Sequence, residues 1–320
     1  MSEEKLKLIR LADVEIQEVS WLWYPYIPAG KLTILEGDPG EGKTMLSLFL
    51  AALLTQGQLM PMQTTPPLSP GTVIYQSAED GLADTIKPRL EKAGADCSRI
   101  VTIDEGDTPL SLADDRIFEA IVKERAKLII LDPLQAFLGA DVDMHRANEV
   151  RPAMRKLAKT ADETGCAVIL VGHLNKMKST KGIQRTLGSI DIAAVARSII
   201  TICRARDDPE KRYLAHIKSS LAPAGETLMF HIDDTLVFDG VSPLNAEQLM
   251  GGTICIEFKE TKKDNAMAAI EECLADSEKP CMEVYAHCLS LGIGKRTVEK
   301  AKQELCIRSS KRNDVWYWSL

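Results

Sequence analysis

The stretch GDPGEGKT, residues 37–44, constrains this chain more than any other. It satisfies G-x-x-x-x-G-K-[ST] and lies between a strand-like run, KLTILEG (31–37), and a helix-like run from about Lys43 to Gln56. Glycines let such a loop turn back on itself so that successive backbone N–H groups point inward, and the following helix adds its positive N-terminal end. Gly37, Asp38, Pro39, Gly40, Glu41 and Gly42 are therefore expected to cradle phosphates. Lys43 would reach the outer phosphates of ATP, and the Thr44 hydroxyl would coordinate Mg²⁺.

The runs that follow alternate in character. TVIYQSAE (72–79), RIVTID (99–104), KLIILDP (127–133) and CAVILVGH (166–173) read as strands, separated by helix-like stretches through DTIKPRLEKAGA, RIFEAIVKERA and residues 146–164. This rhythm predicts an α/β fold with a mostly parallel sheet covered on both faces, and near-continuous apolar runs such as KLIIL and AVILVG suit strands buried on both sides. After residue 197 the texture changes to SIITICRAR, RYLAHIKSSL, TLMFHID and TLVFDG, short runs joined by turns, which predicts an antiparallel extension of the sheet.

Domain boundaries follow from these patterns: an N-terminal segment 1–30, a core 31–240, a connecting segment 241–261 and a C-terminal unit 262–320. The last reads as a small winged helix-turn-helix, with helices through NAMAAIEECLAD, PCMEVYAHCLSL and KRTVEKAKQEL and a β-wing in IRSSKRNDVWYWSL. Its third helix would present Lys295, Arg296, Lys300 and Lys302, and its wing Lys311 and Arg312, to duplex DNA. Residues 291–320 carry seven Lys/Arg against three acids, +4, so with a whole-chain formal charge of −7 the remainder sums to −11. That balance excludes a uniformly basic nucleic-acid coat.

The eight cysteines, at 97, 166, 203, 255, 273, 281, 288 and 306, form no CxxC pair and read as reduced packing residues. The first twenty residues, MSEEKLKLIRLADVEIQEVS, are interrupted by charges and do not resemble a signal peptide, and no apolar run approaches membrane-spanning length. A cytoplasmic location without membrane partners is the expectation.

Two acids invite a chemical reading. Asp132 ends the run KLIILD, where an aspartate at the carboxyl edge of a parallel sheet holds magnesium or its water. Proline follows it, so the glutamate that orients the attacking water in ATPases whose strand ends in Asp-Glu has no counterpart there. Glu79 and Asp80 end VIYQSAED; on the residues alone they suit a solvated turn in which Asp80 caps the next helix.

GDPGEGKT, VIYQSAED, LIILDPLQAF, VILVGHLNK and GSIDIAAVAR, in that order, resemble the RecA-type ATPases of the RepA hexameric helicase group of plasmids and phages, over about residues 25–235. The resemblance implies a RecA-like core and makes Glu79 the catalytic carboxylate, while Asp80 stays open between cap and catalyst. It makes His173 a sensor of the γ-phosphate and Arg197 an arginine finger. Lys218 would be a second cation from the neighbouring subunit, although the arginine often found two residues later is Ser220 here. It also implies a homo-oligomer, with a hexameric ring as one form, in which the acid-free run 174–188, with Lys176, Lys178, Lys181 and Arg185, lines a channel for single-stranded DNA. The expected activity is DNA-dependent ATP hydrolysis by a replicative helicase or helicase-like motor of a mobile element. An ATP-responsive DNA-binding regulator, or a recombinase or KaiC-like ATPase without unwinding, is the alternative.

Overall fold

In a computed structural model of the chain, residues 8–64, 69–139, 147–173, 190–205, 208–250 and most of 266–319 are described. The chain divides into two compact units, Met1–Gly251 and Gly252–Leu320.

Unit 1 is built on β3 (Leu32–Gly37), whose six residues are all buried. Its neighbours are β7 (Ala167–His173) and β8 (Ser198–Arg204), both parallel to it. Outward from β7 lie β6 (Leu128–Asp132), β4 (Val73–Ser77) and the short edge strand β5 (Ile100–Val101), again parallel. Outward from β8 the sheet turns antiparallel through β9 (Lys211–Ser219), β10 (Leu228–Ile232) and β11 (Leu236–Val241). The order of this nine-stranded sheet is β11-β10-β9-β8-β3-β7-β6-β4-β5. Fold class is as the alternating pattern predicts.

Successive side chains of a strand point to opposite faces, and the central strands split accordingly. Leu35, Leu128, Ile130, Ile169 and Val171 join one core with α1 (Lys43–Gln56) and α2 (Lys87–Lys92). Leu32, Ile34, Ile129, Leu131, Val168 and Leu170 join the other, with α3 (Asp115–Glu124), α4 (Ala147–Thr164) and α5 (Ile190–Val195). Both faces are dry, which is why these strands have no polar alternation. At about 1.5–3 kcal/mol for each large aliphatic side chain fully buried, the two cores hold the strand ends rigidly. No described helix is long and apolar enough to cross a membrane.

Some local expectations change. The helix foreseen at 84–95 begins as a π-type turn at Leu82–Ile86 and becomes α-helical only over Lys87–Lys92. Within RIVTID only Ile100 and Val101 form strand. Inside the N-terminal segment, Trp21–Trp23 (β1) and Ile27–Pro28 (β2) form a small antiparallel hairpin. Trp23 stacks near Tyr26 and Phe238 and donates from Nε1 to the Pro61 carbonyl at 3.0 Å. A short helix, α6 (Ala246–Met250), lies in the connecting segment.

Unit 2 has α7 (Cys281–Ser290), α8 (Lys295–Glu304) and a three-stranded antiparallel sheet of order β12 (Lys279–Pro280), β14 (Val315–Ser319), β13 (Arg308–Arg312). Its own core gathers Ala266, Ile270, Leu274, Val284, Cys288, Val298, Ala301 and Trp318.

Candidate nucleotide site

Strand β3 runs straight into the phosphate loop. At Gly37 a Cβ would meet the Ile202 carbonyl oxygen at 2.5 Å, so only glycine lets β3 and β8 approach this closely. At Gly42 the backbone is left-handed, φ +96°, and a Cβ would lie 2.6 Å from Ile232 Cδ1. The loop then enters α1 with its first N–H groups unpaired by any side-chain cap, free for an anion.

Lys43 is 5% exposed and donates from Nζ to the carbonyls of Gly37 and Asp38, each at 2.9 Å. Burial pulls its pKa down, and the carboxylates of Asp132, Asp38, Glu41 and Glu79 oppose that pull. Thr44 Oγ1 donates to Asp132 Oδ2 at 2.7 Å, and Tyr75 donates to the same oxygen at 3.0 Å. Burial pushes the Asp132 carboxyl upward; these two hydrogen bonds oppose it, and the negative charges of Glu79 and Asp80 add to it. Its other oxygen, Oδ1, accepts no hydrogen bond among the described residues. A hydroxyl that donates to a carboxylate keeps its lone pairs. Thr44 and Asp132 thus suit a hard cation that prefers oxygen ligands, such as Mg²⁺, and they are the residues that would hold it, adding positive charge beside the outer phosphates.

The two acids at the end of β4 part company. Asp80 does not cap the next helix, whose N-cap is Gly81 without a side-chain bond. Instead its Oδ2 pairs with Arg89 at 3.1 Å, and its backbone N–H donates to Ser77 Oγ. Glu79 is exposed, has no hydrogen bond or ion pair among the described residues, and lies close enough to Lys43 and Asp132 to act on both charges. Behind them Gln76, buried, clips β4 to the segment after β5: Oε1 accepts from Thr102 and the Ile103 N–H, and Nε2 donates to Glu105. His173 ends β7 level with Gly37, and its buried Nδ1 has no hydrogen-bond partner among the described residues.

Two arginines flank the loop that no motif marks. Arg204 and Arg212 lie directly opposite each other on β8 and β9. Arg204 donates to the Gly40 carbonyl at 2.9 Å and is 3.8 Å from Glu41 Oε2; Arg212 runs along Gly42, and its buried Nε has no partner among the described residues. Burial and the Arg204 charge lower the Arg212 pKa. Like charges facing across a ladder are unfavourable; Glu41, Glu210 and backbone carbonyls, that of Gly40 for Arg204 and that of Glu210 for Arg212, offset them here. The arrangement adds two cationic donors beside the phosphate cradle.

Arg197 and Lys218 sit at the other end of the strands. The Arg197 N–H donates to the carbonyl of Leu32, the first residue of β3, and its side chain is exposed. Six strand residues, roughly 17–20 Å, separate it from this chain's own phosphate loop. Lys218 Nζ donates to the carbonyls of Ala193 (2.8 Å), Ala196 (2.7 Å) and Ala194 (3.5 Å), capping α5. Burial and then the nearby Arg197 charge lower its pKa. Lys176, Lys178, Lys181 and Arg185 lie outside the described residues, as do the side chains of Arg296 and Lys300. In unit 2, Lys295 stands over the Tyr285 ring, Lys302 over Trp318, and Arg312 pairs with Glu278 at 2.5 Å; Lys311 is exposed on β13.

This geometry has known counterparts. The chain superposes on a solved structure titled ATPase Domain of G40P with a TM-score of 0.50 at 16% identity, covering 65% of this chain and 84% of that one, which bears on the fold alone. Among curated proteins it is similar to the DNA repair protein RadA of Streptococcus pneumoniae, 25% identical over 194 residues, and to that of Bacillus subtilis, 26% over 155. Those matches cover 57% and 48% of this chain but 41% and 30% of the relatives, so the chain spans less than half the length of the curated relatives it matches. The family model AAA_25, described as AAA domain, matches residues 2–179. A P-loop on a RecA-like sheet, matched over more than half of its length by one family model, makes this chain a member of the AAA_25 family of AAA domains.

Proposed function

We propose that the chain is a DNA-dependent ATPase that hydrolyses MgATP between the subunits of a ring, as a replicative helicase or helicase-like motor of a mobile element. The observation that carries the reading is the grouping at the carboxyl edge: Lys43 in the loop, Thr44 hydrogen-bonded to Asp132, and Glu79 unpaired beside them. Glu79 is the general base that polarises water, Asp132 and Thr44 hold Mg²⁺, and His173 reports the state of the outer phosphate. Arg197 is the finger acting in trans; its support is its exposure and its distance from its own chain's loop. Lys218 serves beside it, holding α5 in place.

The DNA element of the reading draws on the name of the RadA relatives and on the basic run 174–188. The C-terminal unit is read as a winged helix that contacts duplex through α8 and the β13–β14 wing. The test measures ATP turnover with and without single-stranded DNA, for the full chain and for a chain ending at Thr261. Stimulation by single strands in both, with duplex binding lost from the shorter one, is expected. Turnover indifferent to DNA in the full chain would overturn the DNA-dependent reading.

A further inference from the structure

Two hydroxyls, not one, hold Asp132. The phosphate loop accounts for Thr44; nothing in the loop accounts for Tyr75, which comes from the middle of β4 and stands level with Ile130 of β6. Its ring is 1% exposed, yet one side lines an apolar cavity of about 420 Å³ with Leu82, Ile86, Leu90 and Ile100. The core packs the ring, and at its tip the phenol hydroxyl meets the Asp132 carboxylate, with the Ser47 side chain also beside it. A buried tyrosine hydroxyl needs a partner, and this one takes an oxygen already occupied by Thr44. With both donors on Oδ2, the carboxylate is fixed in rotation, and Oδ1 accepts no hydrogen bond from the described residues.

We infer that Tyr75 is a positioning residue for the metal site: its hydroxyl holds the Asp132 carboxylate so that Oδ1 stays available to a divalent cation or its water. The inference rests on the proposed MgATP reading of the site. It assigns Tyr75 no contact with nucleotide. Partners of a metal-binding side chain that themselves stand one layer out change metal affinity by about 10–100-fold when removed.

The test uses the full chain and Tyr75→Phe, which keeps the ring and deletes the donor. Binding of a fluorescent, non-hydrolysable ATP analogue is measured in EDTA and then across a MgCl₂ series, and Mn²⁺ binding to the ADP complex is followed by electron paramagnetic resonance. Affinity in EDTA should stay within about twofold of wild type, while half-saturation by Mg²⁺ and Mn²⁺ rises about tenfold or more. In an Asp132→Ala background the same substitution should add nothing, because the acceptor through which Tyr75 acts is gone. Should Tyr75→Phe fail to fold, 3-fluorotyrosine placed at position 75 keeps the hydroxyl; its fluorine resonance should move when Mg²⁺ joins the nucleotide complex and stay still with nucleotide alone. A Tyr75→Phe protein with wild-type Mg²⁺ dependence, an added effect in the Asp132→Ala background, or a fluorine signal blind to Mg²⁺ would each overturn the inference. Wild-type protein that binds no nucleotide in either buffer would instead defeat the reading of the site itself.

Discussion

Lys43 and Lys218 both spend their ammonium groups on backbone carbonyls, one at the carboxyl edge of the parallel strands and one at the amino edge. Their surroundings differ. Around Lys43 stand Asp38, Glu41, Asp132 and Glu79 and the open N–H groups of a loop, so an incoming phosphate finds a cation that the protein holds with opposing charges. Around Lys218 stand the end of α5 and another cation, Arg197. The first lysine closes a cradle; the second closes a helix. Charge alone does not identify a working group. Under the proposed reading, groups left without a partner among the described residues are the better guide: Glu79, His173 Nδ1 and Arg212 Nε at the carboxyl edge and the Arg197 side chain at the amino edge.

The contrast is sharpest between neighbours in sequence. Glu79→Gln should retain MgATP binding and lose turnover by about two to four orders of magnitude, the size of a general-base contribution. Asp80→Asn should cost a few-fold at most, because Asp80 is committed to Arg89. Steady-state phosphate release checks both, and a Glu79→Gln protein that turns over at the wild-type rate would remove the carboxylate from the chemistry.

The amino edge offers the next largest effect. Arg197→Ala should bind ATP and fold normally while losing up to about 10³-fold in turnover, since an arginine finger stabilises charge that develops in the transition state. Mixing it with Lys43→Ala should restore activity, because a hybrid interface can join one intact loop to one intact finger. Co-assembled mixtures that stay inactive would place all the chemistry at one edge of one chain.

The loop and Asp132 were legible because their spacing is local: eight consecutive residues, and an acid ending an apolar run. Strand positions were legible for the same reason. Tyr75, Arg204 and Arg212 were not, since each matters through strand register: Tyr75 level with Ile130, Arg204 opposite Arg212. Nor could the residues decide between Glu79 and Asp80, because the pair of Asp80 with Arg89 forms across the turn at Leu82–Ile86 and has no local signature. The β1–β2 hairpin escaped notice because strands of three and two residues carry no period.

Near the amino edge a neutral hydrogen-bonded network around His216 gives the fold one source of acid sensitivity. His216 Nδ1 accepts from the Gly225 N–H at 2.9 Å, so the hydrogen on Nε2 faces Ser198 Oγ at 3.0 Å, and that hydroxyl donates to the Tyr26 carbonyl at 2.6 Å. Burial pushes the His216 pKa down to about 4. Above about pH 6.5 histidine is neutral in both states and costs nothing. Between there and about 4 only the unfolded chain takes up the proton, so stability falls as pH falls, by up to about 3 kcal/mol in total. Denaturant unfolding from pH 7.5 to 4.5 should show this slope in the wild type and a flatter one in His216→Gln; parallel slopes would place the acid sensitivity elsewhere.

The smallest effect tests the lysine comparison itself. Lys218→Met keeps the aliphatic stem and removes the three donated hydrogen bonds to the end of α5. A cation at a helix C-terminus contributes about 0.3–1 kcal/mol, somewhat more when partly buried, so stability should drop by about 1 kcal/mol. Turnover should change little beyond any loosening of Arg197, which lies two residues after the helix ends. Lys43→Met, by contrast, should leave the unfolding midpoint nearly in place and remove nucleotide binding, because its burial among carbonyls is costly without the phosphates it serves. If the two substitutions exchange these outcomes, with Lys218→Met abolishing turnover at unchanged stability, then Lys218 acts on the neighbouring subunit's nucleotide, and its three carbonyls are where it rests between turnovers.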